Sequence, residues 1–152
     1  MNSIDNASIL RDIHAAWNAK DMDKTASYAR PDAKVTMPSG ETVSFRDYIE
    51  NWAKAFPDGK VDDARYLAQG NTVVAEFVGR GTHTGPLKGP MGEIAPTQRR
   101  MELKLAEIWE FSNGKLIGGR SYFDSASMMT QLGLMPAMPG QQAQRPAVTP
   151  RH

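Results

Sequence analysis

The chain has 152 residues, enough for one domain with a sizeable core and too few for two ordinary ones. Its 18 Lys and Arg balance 17 Asp and Glu, a formal charge of +1 that gives no broad field for nucleic acid or an anionic membrane. No cysteine occurs, which excludes disulfides, thiol nucleophiles and thiolate metal sites.

From the N-terminus, Met1 to Asp12 carries Asp5 and Asp12 and no apolar stretch, so neither a signal peptide nor a membrane span is expected and the default compartment is cytoplasmic. Ile9, Ile13, Ala16 and Trp17 recur at helical spacing and predict a first helix from about Asp5 to Ala19. Asp23 is placed to cap a short second helix, and a break at Arg30-Pro31 leads into a strand from Ala33 to Met37. Ser44 followed by Asp47 resembles a capping box. Behind it Phe45, Ile49, Trp52 and Phe56 form an apolar stripe that Pro57 stops.

Strands then dominate. Val61 to Gln69 is expected to turn at Gly70-Asn71 into Thr72 to Thr84, where Val73, Ala75 and Phe77 alternate with polar residues. Gly79 and Gly81 suggest a bulge or bend. Gly85 to Pro96 holds three prolines and reads as a long loop at the mouth of whatever the sheet encloses. From Met101 to Phe111 the odd positions are apolar except Glu107, which therefore points into the apolar face. Asn113-Gly114 signals a two-residue hairpin turn. Strict counting from Ser112 opposite Lys115 pairs Phe111 with Leu116, Trp109 with Gly118, Glu107 with Arg120, Leu105 with Tyr122 and Leu103 with Asp124. Two carboxylates, a guanidinium and a phenol would then share one mostly apolar surface, where burial and mutual charge perturb pKa values. The structural alternative is a charge pair that only satisfies itself, with Asp124 capping a helix from Ser125 to Leu132. Helices first and a bent antiparallel sheet afterwards make an α+β arrangement. The domain is read as 1–134. A tail, 135–152, carries four of the ten prolines and no periodicity, and its composition predicts disorder unless it docks on its own domain or a partner subunit.

Several motifs fail. Gly79 to Gly85 has its third glycine displaced for a dinucleotide loop, and Pro86 follows where a helix should open. The histidines, His14, His83 and His152, have no metal-ligand spacing, so no metal site is expected. No nucleophile elbow surrounds a serine. Acid–base chemistry in a pocket remains.

A set of ordered motifs carries a resemblance. Ala55-Phe56-Pro57-Asp58, Arg80-Gly81-Thr82-His83-Thr84-Gly85, Pro96-Thr97 with Arg99-Arg100, Asn113-Gly114-Lys115, and Tyr122-Phe123-Asp124 with Gln131-Leu132-Gly133 together resemble the SnoaL-like polyketide cyclases of the NTF2-like superfamily. The resemblance spans roughly Asp5 to Leu134. It implies a cone-shaped α+β barrel, N-terminal helices packed on a strongly curved antiparallel sheet around an apolar pocket, commonly dimeric through the sheet. Carried over by position, it implies Asp124 as the acid/base, His83 as a second donor or relay, and Asp58 as the aspartate of the Phe-Pro-Asp turn. Glu107 falls where such proteins often have Asp or His.

The resulting expectation is a cofactor-independent enzyme acting on a small, apolar, carbonyl-bearing molecule, with an aldol-type cyclisation as the reaction the resemblance implies. Trp17, Trp52, Phe56, Trp109 and Tyr122 are expected to bind substrate, or to be core first and pocket lining second. Two rivals stand beside it. One is an epoxide hydrolase of the limonene-epoxide type using Glu107, Arg120 and Asp124; the other is a non-catalytic pocket for a hydrophobic ligand.

Overall fold

The computed structural model describes residues 3–136. Most of the 135–152 tail, from residue 137 on, therefore lies outside the described residues, as does His152.

Helix α1 (Ser3–Asn18) is followed by α2 (Met22–Ser27), β1 (Ala29–Thr36), β2 (Thr42–Ser44) and α3 (Phe45–Ala55). Strands β3 (Lys60–Gln69), β4 (Thr72–Thr82), β5 (Leu87–Gly89), β6 (Gly92–Ile94), β7 (Arg100–Ser112) and β8 (Lys115–Phe123) come next, and α4 (Ser125–Gln131) closes the described chain. The main sheet runs β2-β1-β8-β7-β4-β3. Every neighbour pair is antiparallel except β1 with β8. The result is the expected α+β fold, with helices at the N-terminus and a large, curved, mostly antiparallel sheet.

Local signals explain most of these elements. Ser44 caps α3 by accepting from the Asp47 N–H at 3.0 Å, and the apolar stripe behind it buries Phe45, Tyr48, Ile49 and Phe56. Residues Val73, Ala75 and Phe77 of β4 and Leu103, Leu105, Glu107, Trp109 and Phe111 of β7 alternate inward, as a period-two pattern requires. Helices α1 and α3 close over that face, so the core lies between helices and sheet. Gly133 takes φ +76° just past α4, and the Leu134 N–H reaches back to the Met129 carbonyl, ending the helix with a left-handed cap.

Four local expectations change. Asp21, not Asp23, caps α2, accepting from the Lys24 N–H. The first strand begins at Ala29 despite Pro31, because it pairs with β8 in two separated stretches. Pairing of β4 with β7 runs unbroken through Gly79 and Gly81; the irregularity falls in β3 between Asp62 and Arg65, where Asp63 has φ +55°. Gly85 to Pro96 contains the small β5–β6 hairpin, and Asn51 of α3 bonds the Lys88 backbone in both directions.

The largest change is one of register. Phe111 faces Leu116 and Ser112 faces Lys115, as counted from the turn. A bulge then intervenes. Glu110 pairs with Gly118, leaving Ile117 unmatched, and Glu107 meets Ser121 rather than Arg120. Since successive side chains alternate faces, a one-residue slip moves every later β8 side chain to the opposite face.

Candidate active site

Between the helices and the inner face of the sheet lies a cavity of about 690 Å³, counting its open mouth. Its walls are aromatic and aliphatic: Trp17 from α1, Trp52 from α3, Phe56, and Leu105 and Trp109 from β7. Trp17, Trp52, Phe56 and Trp109 thus all line the cavity. Trp17 is fixed by donating its indole N–H to the Ile49 carbonyl at 2.9 Å, and Trp52 packs on Phe56 and edge-on to Phe123.

At the inner end stands Glu107, 5 % exposed. Its Oε1 lies 3.1 Å from His14 Nε2 and accepts from the Trp109 indole N–H at 3.0 Å. Its Oε2 accepts from the Tyr48 hydroxyl at 2.5 Å. Burial alone would raise the carboxyl pKa, but hydrogen bonds and charge from His14, then the bonds from Tyr48 and Trp109, outweigh it and hold the group below its ordinary value. Glu107 is therefore a carboxylate, which only accepts, so His14 Nε2 carries a proton toward it. The other ring nitrogen, Nδ1, lies 2.7 Å from the hydroxyl of half-buried Tyr66, which donates to it when the ring is neutral. Tyr48 has one proton, committed to Glu107, so its 2.9 Å contact with buried Ser121 is a donation from Ser121. Burial, then the Glu107 charge, pushes the Tyr48 phenol well above its ordinary range, and it stays a donor.

The other sequence-derived candidates stand elsewhere. Arg120 pairs with Ile108 in register and its guanidinium lies 3.5 Å from Glu110, half-exposed on the outer face; the inward Glu107–Arg120 pair is corrected by the bulge. The same slip puts Tyr122 on the outer face at 48 % exposure, away from the cavity. Asp124 is exposed and accepts from the backbone N–H groups of Ala126 and Ser127 as the N-cap of α4. His83 is fully buried behind Phe56, with ring centroids 5.4 Å apart, and its Nδ1 contacts Thr97 at 2.9 Å. Burial pushes its ring below the ordinary histidine value. Asp58 fixes a turn, its carboxylate accepting the Thr82 N–H at 2.8 Å. Neither Arg120, Asp124, Tyr122 nor His83 lines the cavity.

Strand-to-helix neighbours thus supply a cluster that sequence counting missed: His14, Tyr48, Tyr66 and Ser121 around Glu107. One signal for His14 was present. It follows Ile13 and precedes Trp17 by three positions, on the edge of the apolar stripe of α1. Among the described residues no group of three or more His, Asp or Glu side chains is gathered as a metal site, and no helix is long and apolar enough to cross a membrane.

A curved sheet closed by helices thus encloses an apolar cavity with a buried carboxylate, histidine and tyrosine cluster in its wall. The chain belongs to the SnoaL-like polyketide cyclase family, whose sequence profile matches residues 7–132. Among solved structures it is similar to AclR, a candidate hydroxylase from Streptomyces galilaeus, at 23 % identity and TM-score 0.76 over 93 % of this chain and 89 % of that one. It is similar to a candidate SnoaL-like polyketide cyclase from Jannaschia sp. CCS1, at 18 % identity and TM-score 0.76 over 88 % and 95 % of the two chains. A third is TerC, crystallised with polyporic acid, at 16 % identity and TM-score 0.65 over 85 % and 98 %. At such identities the likeness is one of fold. No curated protein matches the chain.

Proposed function

We propose that the protein is a cofactor-independent acid–base enzyme, cyclising or isomerising a polyketide-like carbonyl compound, with Glu107 as its proton-handling group, oriented by His14. The observation that carries this reading is a buried carboxyl group in the wall of an apolar cavity, 3.1 Å from a histidine whose other nitrogen meets a half-buried phenol. A carboxylate has about four lone-pair directions, and three are used by His14, Trp109 and Tyr48. The remaining one, on Oε2, is available to take a proton from carbon next to a carbonyl. His14 donates Nε2–H to Oε1 and accepts at Nδ1 from Tyr66, so it orients the carboxylate and stabilises its charge, and the proton taken up on Oε2 is returned from Glu107 itself to the rearranged product. Tyr48, kept neutral, holds Oε2 in place through its committed hydrogen bond.

Asp124 is not part of this reading, because its carboxylate is committed to the α4 cap. The epoxide-hydrolase arrangement needs Arg120 between Glu107 and Asp124, and Arg120 instead faces Glu110. Exposed Leu67 and Tyr122 on the outer face of the sheet support a homodimer formed through that face, which sedimentation of the full chain would register.

The reading is tested by solvent deuterium exchange at the carbon beside the carbonyl in a panel of aromatic ketones and diketones. Wild-type protein is expected to accelerate exchange of at least one, and Glu107→Gln to lose on the order of 10²-fold or more of that acceleration while still binding it. Equal exchange by wild type and Glu107→Gln across the panel would leave a binding pocket without base catalysis.

A further inference from the structure

At the open end of the cavity the polar groups change sign. Lys60, the first residue of β3, lines the cavity, and its Nζ donates to the Asn18 carbonyl at 3.1 Å. Lys20 reaches the other way, donating to the carbonyl of Gly59, itself a lining residue. The Lys20 ammonium stands 4.0 Å over the ring of Trp17, part of the cavity wall. The two lysines are thus tethered crosswise over one rim, each to a carbonyl beside the other. An ammonium has three N–H donors, so each tether leaves donors for a further acceptor.

Neither lysine has a carboxylate within ion-pair distance among the described residues. Their neighbour at the rim, Arg80, shows the contrast. It meets Asp62, Asp63 and Glu102 at 3.1–3.2 Å and is neutralised. Two neighbouring cations with no carboxylate in contact repel each other. Burial, then the charge of Lys60, lowers the Lys20 pKa to about 8 against the pull of Asp58. The backbone carries a second local cost. Lys20 sits just past α1 with φ +62°, its N–H bonded to the Trp17 carbonyl and the Asp21 N–H to that of Ala16, a helix ending at which glycine is the usual residue. Costs of this kind persist where the surrounding structure fixes them for a use.

We propose that this rim is an anion subsite, in which Lys60 and Lys20 hold a negatively charged group of the ligand while its apolar body extends along Trp17 toward Glu107. The proposal rests on the reading of the cavity as the substrate site and narrows the substrate class to amphipathic organic anions, such as carboxylates, phenolates or enolates. An inorganic anion would leave the aromatic wall without a partner. A neutral ligand would leave the charge of the two ammoniums uncompensated.

The test uses two fluorescent probes that share one aromatic frame and differ by a sulfonate group, anilinonaphthalene sulfonate and neutral N-phenylnaphthylamine, each titrated into the full chain and then against the other. Wild-type protein is expected to bind the sulfonate about tenfold more tightly at low salt, to release the neutral probe when the sulfonate is added, and to lose the preference as salt is raised. Lys60→Met and Lys20→Met should each remove about threefold or more of the preference with the neutral probe held as before, and Lys60→Arg should retain it. The neutral probe also reports whether each variant keeps its cavity. Should one lysine variant lose that cavity, the salt dependence of wild type and the other variant decide. Equal affinity for both probes in wild type, a sulfonate that fails to displace the neutral probe, or a preference that survives both substitutions would overturn the anion subsite. Failure of wild type to bind either probe would remove the cavity itself as a binding site, and the subsite with it.

Discussion

The Tyr48 hydroxyl and the Glu107 carboxylate, 2.5 Å apart, join helix α3 to the middle of strand β7 beneath the cavity. Both are buried, so a partner lost from this bond is poorly compensated. Tyr48→Phe removes the only donor to Oε2 among the described residues and is expected to destabilise the fold by about 1–3 kcal/mol, the penalty for a buried polar group losing its partner. Chemical denaturation would measure it. A variant as stable as wild type would show that Oε2 finds another donor.

The pH dependence of stability follows from the direction of the Glu107 shift. Its carboxyl is held below the ordinary value of 4.5, so the folded state binds its proton less readily than the unfolded state does. The corresponding stabilisation is fully present above 4.5 and is lost as pH falls through the folded value. Urea unfolding of wild type and Glu107→Gln across this range is expected to give curves that converge at low pH. Parallel curves throughout would mean that Glu107 titrates alike in both states.

Asp124 separates cap from catalyst. Asn serves as well as Asp at an N-cap, so Asp124→Asn is expected to melt like wild type, whereas Asp124→Ala should cost about 0.5–2 kcal/mol. With the proton chemistry proposed for Glu107, Asp124→Asn should also keep the exchange activity expected of wild type. Loss of activity with intact folding would return Asp124 to the mechanism.

For Arg120 the expected cost is small. Its partner Glu110 lies 3.5 Å away and both are half-exposed, a setting in which ion pairs contribute about 0–1 kcal/mol. Arg120→Gln should therefore melt close to wild type. An inward pair with Glu107 would instead have cost about 3–5 kcal/mol on losing one partner, so a loss of that size would argue for the unbulged register.

The sequence made helices and strands legible wherever a local rule sufficed: the Ser44 cap and its stripe, the alternation of β7, the Asn113-Gly114 turn, the Asp124 cap. The inward carboxylate at position 107 was among them, since alternation along one strand needs no partner. What failed was counting across the turn. The bulge at Glu110–Phe111 leaves no mark in a pattern of apolar residues, and Gly118, with φ +158°, accepts extended backbone as readily as any continuous register would require. That single residue exchanged Ser121 for Arg120 and carried Tyr122 outward. Family motifs directed attention to Asp124 and His83, whereas His14 and Tyr48 meet Glu107 only through the closure of two helices over the sheet. No spacing in a chain records that closure.

Glu107 bonds to Tyr48 and His14 at sequence separations of 59 and 93, and Ser121 joins Tyr48 at a separation of 73. No fragment shorter than most of the domain contains the set. A nascent chain ending before Glu107 has the aromatic walls on α1 and α3 but no carboxylate, and one ending before Ser121 lacks the last hydroxyl. The cluster is thereby complete only once residues 14 to 121 have come together.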